Sequence, residues 1–285
     1  MLKSRKSLLL LAAGAALALS PVAQARQWLL PSETMFTGAG NEWLTVDAAN
    51  STDLYYYDHP GQAWDAVVTA PDGSVIPVEN RMVGKLRQVF DVPIAQGGTY
   101  KISVTNDMVM GSYMLAGEKK MLPRGTTPAN LAAAIPAGAT DVQTAEANNR
   151  IETFVTAGEP TTSVFTAGGK GIEMIPVTHP NDLAVGEEAT FQFMLDGKPA
   201  AGIDVVAIPG GIRYRADIKQ MDAKTDAEGK VSFTWPEAGM YWVSASIGGR
   251  RGGGEGAGGP PPATPPQPEA PQRRASYAMT VEVQG

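Results

Sequence analysis

Apolar and polar residues alternate along much of this chain, which predicts short β-strands rather than helices. Near the carboxyl end, residues 277–283 place an apolar side chain at every second position, and residues 191–195 repeat the pattern before an Asp196-Gly197 turn. Strands with one apolar and one polar face are typical of antiparallel sheets that cover a core on one side. The pattern therefore predicts a β-sandwich in the second half of the chain.

The first half of the chain has the same character. The predicted strands are residues 42–47, 53–57, 63–70, 75–78, 86–92 and 99–105. Pro71-Asp72-Gly73-Ser74 predicts a hairpin turn, because Asp-Gly tolerates the positive φ of a tight turn. Residues 96–104 and 237–245 echo each other, each with a glycine two positions before a tyrosine and apolar residues at alternate positions after it. The echo indicates two sandwiches that are built alike.

The expected domain boundaries follow from composition. We expect a first module at residues 26–117, a connector at 118–168 and a second module at 169–285. Within the connector, Thr127-Pro128 favours the start of a short helix, because threonine caps free amides and proline suits the first helical position. One strand is also predicted there, at residues 150–156.

Residues 248–274 are almost wholly Gly, Pro, Ala, Gln, Glu and Arg. Such a composition offers no apolar surface to offset ordering entropy, so we expect a disordered loop. A good strand resumes after it, which makes it an insertion within the second module rather than a tail. Paired arginines make the loop basic, so a tether to an anionic surface is the alternative to a solvated insertion.

The amino terminus has the features of a secretory signal. Three basic residues precede an apolar run at residues 8–19, and Ala23-Gln24-Ala25 offers small residues for cleavage. The run is shorter than the roughly 20 residues that span a bilayer. We therefore expect a signal peptide at residues 1–25, a mature chain that starts at Arg26, a periplasmic location and no membrane span after signal removal.

Charge and amino-acid types narrow the function classes. The chain has 23 Lys and Arg against 29 Asp and Glu, and the predicted leader contains three of the cations. Without a basic cluster on a predicted helix, it lacks an electrostatic footprint for nucleic acid. It has no cysteine, so thiolate metal sites and cysteine nucleophiles are excluded, and stability must come from core burial.

Several segments resemble a bacterial periplasmic family. They are QWLLPS (27–32), WLTVDA (43–48), TAPDGS (69–74), GGTYKI (97–102), IETFVTAGEPT (151–161) and GKGIEMIPVTHPNDL (169–183). The family is DUF4198, a domain of unknown function that is also labelled NikM-like, a periplasmic component of nickel/cobalt uptake. The second module further resembles transthyretin-like and carboxypeptidase-regulatory sandwiches. The resemblance implies export, an all-β fold of two immunoglobulin-like or transthyretin-like β-sandwich modules, and a link to uptake of metal or another ligand.

One departure from the family bears on the metal. Many members look as if their mature chain begins with a histidine, where the amine and the imidazole could chelate a metal together. Here Ala25 is followed by Arg26, and no histidine is nearby. A metal chelate at the amino terminus is therefore not expected in this chain.

The chain has two histidines, and each precedes a proline. Imidazole suits late first-row metals such as nickel and cobalt, and Asp58 beside His59, or Asp182 near His179, would complete a shell of nitrogen and oxygen ligands. The alternative is that each His-Pro ends a strand and the imidazole bonds locally at a turn. A site that used both histidines would need the two modules to pack end to end.

Methionines offer a second metal chemistry. Met108 and Met110 have the spacing that puts both on one face of a strand, and Met114 and Met121 follow. Thioethers select Cu(I), so these residues are a candidate copper site. The alternative is that they fill an irregular core.

Aromatic residues offer a third kind of site. Tyr55 and Tyr57 would share one face of the strand predicted at 53–57, and Trp242 would lie opposite the inward Tyr241. An exposed aromatic platform could stack a sugar or another flat ligand. Cross-strand packing is the alternative explanation.

We predict that the chain is not an enzyme. A hydrolase triad would need a Ser or Thr activated by one of two turn histidines, and no Gly-x-Ser-x-Gly elbow occurs. We predict instead an exported binding protein that assists envelope uptake of a divalent metal or another small ligand, with an envelope transporter or outer-membrane receptor as its partner. The alternatives are a structural or protein-interaction module that uses a sheet edge or the basic loop, and a metal-dependent or carboxylate enzyme.

Overall fold

The computed structural model describes residues 25–248 and 272–285, and nearly all regular structure in these ranges is β. The first half contains β1 (Arg26–Pro31), β2 (Met35–Phe36), β3 (Glu42–Ser51), β4 (Ala66–Thr69), β5 (Val75–Ile76), β6 (Glu79–Val83), β7 (Gln88–Ile94), β8 (Gly98–Leu115) and β9 (Glu118–Met121). After the helix α1 (Leu131–Ala134) come β10 (Thr140–Ala157), β11 (Ile172–Pro176), β12 (Glu188–Leu195), β13 (Lys198–Pro199), β14 (Asp204–Pro209), β15 (Met221–Lys224), β16 (Lys230–Thr234), β17 (Gly239–Ile247) and β18 (Arg274–Val283). The all-β prediction is confirmed.

One ten-stranded sheet runs through both halves of the molecule. Its strands follow the order β15-β14-β17-β18-β10-β8-β4-β5, with β2 beside β10 and β9 beside β8. The two halves meet where β10 pairs in parallel with β18, from Ala147 opposite Arg274 to Thr153 opposite Thr280. A ladder of backbone hydrogen bonds therefore joins the two modules directly.

A smaller sheet covers each half of this shared sheet. Strands β1-β3-β7-β6 cover the half that contains β8 and β10, and strands β11, β12, β13 and β16 cover the half that contains β17 and β18. On β18, Ala278 faces the first core, whereas Tyr277 and Met279 face the second. Because successive residues of a strand point to opposite faces, the two smaller sheets lie on opposite faces of the shared sheet.

The two sandwiches overlap at β10, which is buried on both faces from residue 151 to 157. The strand predicted at residues 150–156 is therefore much longer than expected and lies near the middle of the shared sheet. A strand that is buried on both faces does not alternate cleanly between apolar and polar residues. The prediction nevertheless covered this buried part of β10 and missed residues 140–149, most of which are exposed.

The strand predicted at residues 53–57 is wrong. These residues form a turn and a loop, and Tyr55 has a φ of 63°, in the left-handed region that strands do not use. The Tyr55 ring packs edge-on against Trp28 of β1, with ring centroids 5.5 Å apart. The residue types at 53–57 favour a strand, but the chain turns at Tyr55 and the Tyr55 ring makes a tertiary contact with Trp28.

The predicted short helix forms, but it begins after Thr127-Pro128. The Thr127 amide donates to the Asn130 side chain at 2.7 Å, and the Asn130 amide donates to the Thr127 hydroxyl at 3.3 Å. These reciprocal bonds make a turn ahead of α1. The helix is then only one turn long.

Three clusters of buried apolar residues hold the molecule together. Two of them fill the two sandwiches. The third, which we call the seam, joins the outer face of β1 to the second half of the shared sheet. Its members are Trp28, Ala49, Leu54, Ile208 and Ile212, with Leu30, Tyr55, Tyr57 and Trp242 packed against them. The modules are therefore packed side by side rather than end to end.

Two predicted segments fall outside the described ranges. They are the leader, of which only Ala25 is described, and most of the loop at 248–274; β18 already begins at Arg274. No helix within residues 25–248 or 272–285 is long and apolar enough to cross a membrane. The module boundaries at residues 117 and 169 stay predictions.

Candidate functional site

His59 and His179 lie at opposite ends of the first sandwich. His59 follows the end of β3, and its Nδ1 lies 2.6 Å from Asp58 Oδ1. His179 instead contacts Thr99 at the start of β8. The start of β8 lies near the other end of β3, because β7 ends beside the first residue of β3 and then leads into β8. The ten residues of β3 separate its two ends by about 30 Å. The structure therefore does not bring the two histidines together.

The His179 imidazole holds its loop against the shared sheet. Its Nδ1 accepts a hydrogen bond from the Asn181 amide at 3.1 Å, and its Nε2 lies 3.0 Å from the Thr99 hydroxyl and 3.3 Å from the Thr161 carbonyl. Since Nδ1 accepts, this network assigns the proton to Nε2. Burial lowers the pKa of His179, which favours this neutral form.

Asn181 extends the same contact into β10. Its side chain accepts from the Thr156 hydroxyl at 2.9 Å and donates to the Phe154 carbonyl at 3.0 Å. Asp182 is exposed, and its amide donates to the His179 carbonyl. Across the described ranges, no group of three or more His, Asp or Glu side chains is placed to hold a metal ion. The His-Pro-Asn-Asp segment thus contributes structural bonds between the loop and the sheet.

Met108 and Met110 lie on the part of β8 that extends beyond the first sandwich. They are half-buried, they share one face as their spacing predicts, and they lie opposite Ala147 and Ala145 of β10. Neither belongs to one of the three buried clusters.

The three aromatic residues predicted as a ligand platform all border the seam. The Tyr55 hydroxyl is buried, and burial raises its pKa. The Trp242 indole donates to the Gln27 carbonyl at 2.9 Å. Tyr57 is half-exposed, with the Arg87 guanidinium 4.4 Å from its ring centroid. Much of this aromatic surface is used to pack the two modules together.

A more exposed aromatic group lies at the margin of the seam. Tyr56 stacks on Tyr57 with centroids 6.4 Å apart and an interplanar angle of 26°. The Arg213 guanidinium lies 3.6 Å from the Tyr56 ring centroid and 5.7 Å from that of Tyr214. Tyr56 is 43% exposed and Tyr214 is 81% exposed. We call Tyr56, Tyr57, Arg213 and Tyr214 the Tyr–Arg stack.

Both modules position this stack. Leu54, two residues before Tyr56, and Ile212, directly before Arg213, are both buried in the seam. Asp47 accepts from the Tyr57 hydroxyl at 3.2 Å, and burial together with the negative charge of Asp47 raises the pKa of Tyr57. Sequence analysis missed Arg213 and Tyr214, because an exposed Arg-Tyr pair has no distinctive spacing and its partners lie far away in the chain.

A buried charged network lies at one end of the second core. Arg150 bridges two carboxylates, with N···O distances of 3.3 Å to Glu152 and 3.2 Å to Glu173. Tyr277 donates to Glu152 at 2.8 Å, and two glycine amides of the preceding loop donate to Glu173 at 2.8 and 2.7 Å. The network fixes the loop before β11 against β10, and sequence analysis did not identify it.

A polar cleft of about 80 Å³ adjoins this network. Its charged groups bond to each other: Lys170 and Asn148 both donate to Asp107, at 2.8 and 2.6 Å. Arg273 donates to Asn148 at 3.0 Å and to Asp196 at 2.8 Å. These bonds hold loops and strands of both modules together, so the polar groups at the cleft have a structural role.

No curated protein matches the chain. Among solved structures, the D0-D1 domain of intimin is 14% identical, with a TM-score of 0.22, and the match covers 90% of this chain and 97% of that structure. An ectodomain fragment of ICAM-5 is 8% identical, with a TM-score of 0.21, over 78% of this chain and 46% of that one. A family described as "Domain of unknown function (DUF4198)" matches residues 23–249, and the chain belongs to this family.

Proposed function

We propose that this chain is an exported periplasmic protein that binds a small organic ligand at the Tyr–Arg stack and assists its uptake at the cell envelope, without catalysing a reaction. The observation that carries the proposal is the exposure of Tyr56 and Tyr214, with the Arg213 guanidinium 3.6 Å from the first ring centroid and 5.7 Å from the second. Export is supported by the order of basic, apolar and small residues in segment 1–25.

The stack combines two kinds of recognition. The ring of Tyr214, which is 81% exposed, can bind the apolar face of a sugar ring or another flat molecule. A guanidinium that stacks on an aromatic ring keeps its N–H donors at its edge, where they suit the planar geometry of a carboxylate. A flat ligand with an acid group, such as an acidic saccharide, uses both features. Because the buried seam already holds both sides of the stack, binding would require little ordering of the protein.

A divalent metal such as nickel or cobalt is the alternative ligand. It would rely on His59 and His179, which lie at opposite ends of the first sandwich. His179 Nδ1 would also have to give up the bond that it accepts from Asn181. The organic ligand is therefore the better supported of the two.

Isothermal titration calorimetry of the full chain with a short oligogalacturonate tests the ligand proposal. We expect saturable binding that Arg213→Gln and Tyr214→Ala each weaken about tenfold or more, because each removes a contact of roughly 1.4 kcal/mol or more. Trp43→Ala is the matched control, since Trp43 is 49% exposed and lies at the far end of β3. Its affinity should equal that of the unaltered chain.

Two outcomes would overturn the ligand proposal. They are the absence of binding to acidic and neutral saccharides, and equal affinity of the Arg213→Gln variant and the unaltered chain. Stoichiometric nickel or cobalt in protein purified without a chelating tag, lost on His179→Ala, would favour the metal alternative instead. Amino-terminal sequencing of periplasmic extract should find a chain that starts at Arg26, and a retained leader would contradict export.

A further inference from the structure

The Tyr–Arg stack has a second guanidinium at its other end. Arg213 contacts the rings of Tyr56 and Tyr214. The Arg87 guanidinium instead lies over the ring of Tyr57. Among the described aromatic rings, neither guanidinium contacts the member of the Tyr56–Tyr57 pair that the other one contacts. Since these two rings stack on each other, the two cations flank the pair on opposite sides.

The contact distances limit how far apart the two cations are. The Arg213 guanidinium lies 3.6 Å from the Tyr56 centroid, and the centroids of Tyr56 and Tyr57 are 6.4 Å apart. The Arg87 guanidinium lies 4.4 Å from the Tyr57 centroid. The two guanidiniums are therefore separated by at most about 14 Å. A carboxylate pairs with one guanidinium in the bidentate geometry, so two separated cations suit a ligand with two acid groups.

Arg87 has donors for an acid group although a carboxylate lies beside it. Its Nε is 3.2 Å from Asp47 Oδ1, and its side chain is 42% exposed. The Tyr57 hydroxyl donates to the other oxygen of Asp47, so this carboxylate is shared between two side chains. A guanidinium has five N–H donors, and the contact through Nε leaves those of the two terminal nitrogens.

We propose that Arg87 is a second anion subsite, through which the Tyr–Arg stack selects linear oligosaccharides with several acid groups over single sugar acids. This inference rests on the proposed function, because the first acidic sugar has to bind at Arg213 and Tyr214. When one ligand carries both acid groups, binding of the second group becomes intramolecular, which raises the overall affinity. Tyr56, which is 43% exposed, lies between the two cations and offers an open path for the sugar chain.

Isothermal titration calorimetry of the full chain with galacturonate and with trigalacturonate tests the second subsite. We expect the trimer to bind at least about tenfold more tightly than the monomer. Arg87→Gln should remove most of this advantage, whereas Arg87→Lys, which keeps the charge, should retain part of it. Asp47→Asn removes the competing charge and keeps an acceptor for the Tyr57 hydroxyl, so it should increase the advantage of the trimer.

Arg81→Gln is the matched control. The Arg81 side chain is 38% exposed, close to the value for Arg87, but it lies on β6 and pairs with Asp65 at 3.4 Å. This variant should show the same advantage of the trimer as the unaltered chain.

Three outcomes would overturn the second subsite. Equal affinity of the unaltered chain for monomer and trimer would do so and would leave binding at the Tyr–Arg stack intact. An undiminished advantage of the trimer in the Arg87→Gln variant would show that its further acid groups bind elsewhere. Absence of binding by both saccharides would overturn the second subsite together with the proposed function.

Discussion

Tyr100 and Tyr241 make the same contact in the two sandwiches: each hydroxyl donates to the carbonyl four residues earlier, at 3.0 Å in Gln96 and at 2.9 Å in Glu237. Both tyrosines are buried. A tyrosine whose hydroxyl bonds back to the backbone fixes a corner of immunoglobulin-type sandwiches. The glycine-tyrosine echo in the sequence therefore corresponds to a repeated structural feature.

Removing either hydroxyl should destabilise the protein modestly. Tyr100→Phe and Tyr241→Phe each lose a hydrogen bond, and we expect the free energy of unfolding to fall by about 1 kcal/mol for each. The Tyr100 variant should lose more, because the Gln96 amide also donates to that hydroxyl, at 2.7 Å. Urea unfolding measures the change. Tyr214→Phe, at a highly exposed position, is the control and should show no loss; an equal loss there would contradict the assignment.

The neutral His179 predicts a loss of stability in mild acid. Burial lowers the pKa of His179 in the folded state, only partly opposed by the Thr161 carbonyl and by Asp182, whereas an unfolded histidine titrates near pH 6.5. The unfolded state therefore binds the proton more readily. The stability that depends on neutral His179 is fully present above about pH 6.5 and is lost as pH falls toward the folded-state pKa.

Urea unfolding at several pH values between about 7 and 5 tests this sign. His179→Gln should flatten the fall in unfolding free energy over that range, because glutamine does not titrate. A steeper slope in the His179→Gln variant would contradict the prediction that protonation of His179 destabilises the folded state.

The buried network around Arg150 should be costly to break. Arg150→Leu leaves the carboxylates of Glu152 and Glu173, with side chains 5% and 7% exposed, without their cation. We expect a loss of about 3 kcal/mol in unfolding free energy, because an uncompensated buried charge costs more than its ion pair contributes. Adding Glu152→Gln and Glu173→Gln to this variant should restore part of the lost unfolding free energy.

Lys120→Leu provides the comparison for that prediction. Lys120 pairs with Glu118 at 2.6 Å, but both side chains are exposed. Exposed ion pairs contribute less than about 1 kcal/mol. Similar losses for Arg150→Leu and Lys120→Leu would contradict a structural role for the buried network.

The turn between β8 and β9 offers a stabilising substitution. Ala116 and Gly117 have φ values of 52° and 82°, the signs that a two-residue hairpin turn requires. Alanine is strained in this region, whereas asparagine adopts it readily. Ala116→Asn should raise the unfolding free energy by about 0.5–1 kcal/mol, and Ala116→Val should lower it. Thermal unfolding of both variants checks the opposite signs.

Sequence patterns predicted strands in which apolar residues recur at every second position. The alternation at residues 191–195 and 277–283 matches β12 and β18, although β18 is buried more fully than an outer strand. The same reasoning placed a strand at 53–57, because three consecutive tyrosines favour strands. Tyr55 instead packs its ring against Trp28 in the seam, and the backbone turns there.

For the candidate sites too, residue spacing predicted some features and only the tertiary structure decided others. Spacing alone predicted that Met108 and Met110 share a face, because both lie on one strand. It could not place Met121 beside them, because that depends on the register of β9 against β8. Likewise, the tyrosines near residue 56 were visible in the sequence, whereas the Arg213 guanidinium reaches them only through the packing of the seam.

By itself the sequence determined the β fold class, the tight turns and the glycine-tyrosine echo of the two sandwiches, because side-chain alternation and turn chemistry act between near neighbours. Only the tertiary structure decided that the two sandwiches share one sheet and use its opposite faces. That arrangement depends on the parallel pairing of β10 with β18, which joins Thr153 to Thr280, 127 residues later. Such pairing is selected by burial on both faces of the strands at once, a condition that no local pattern encodes.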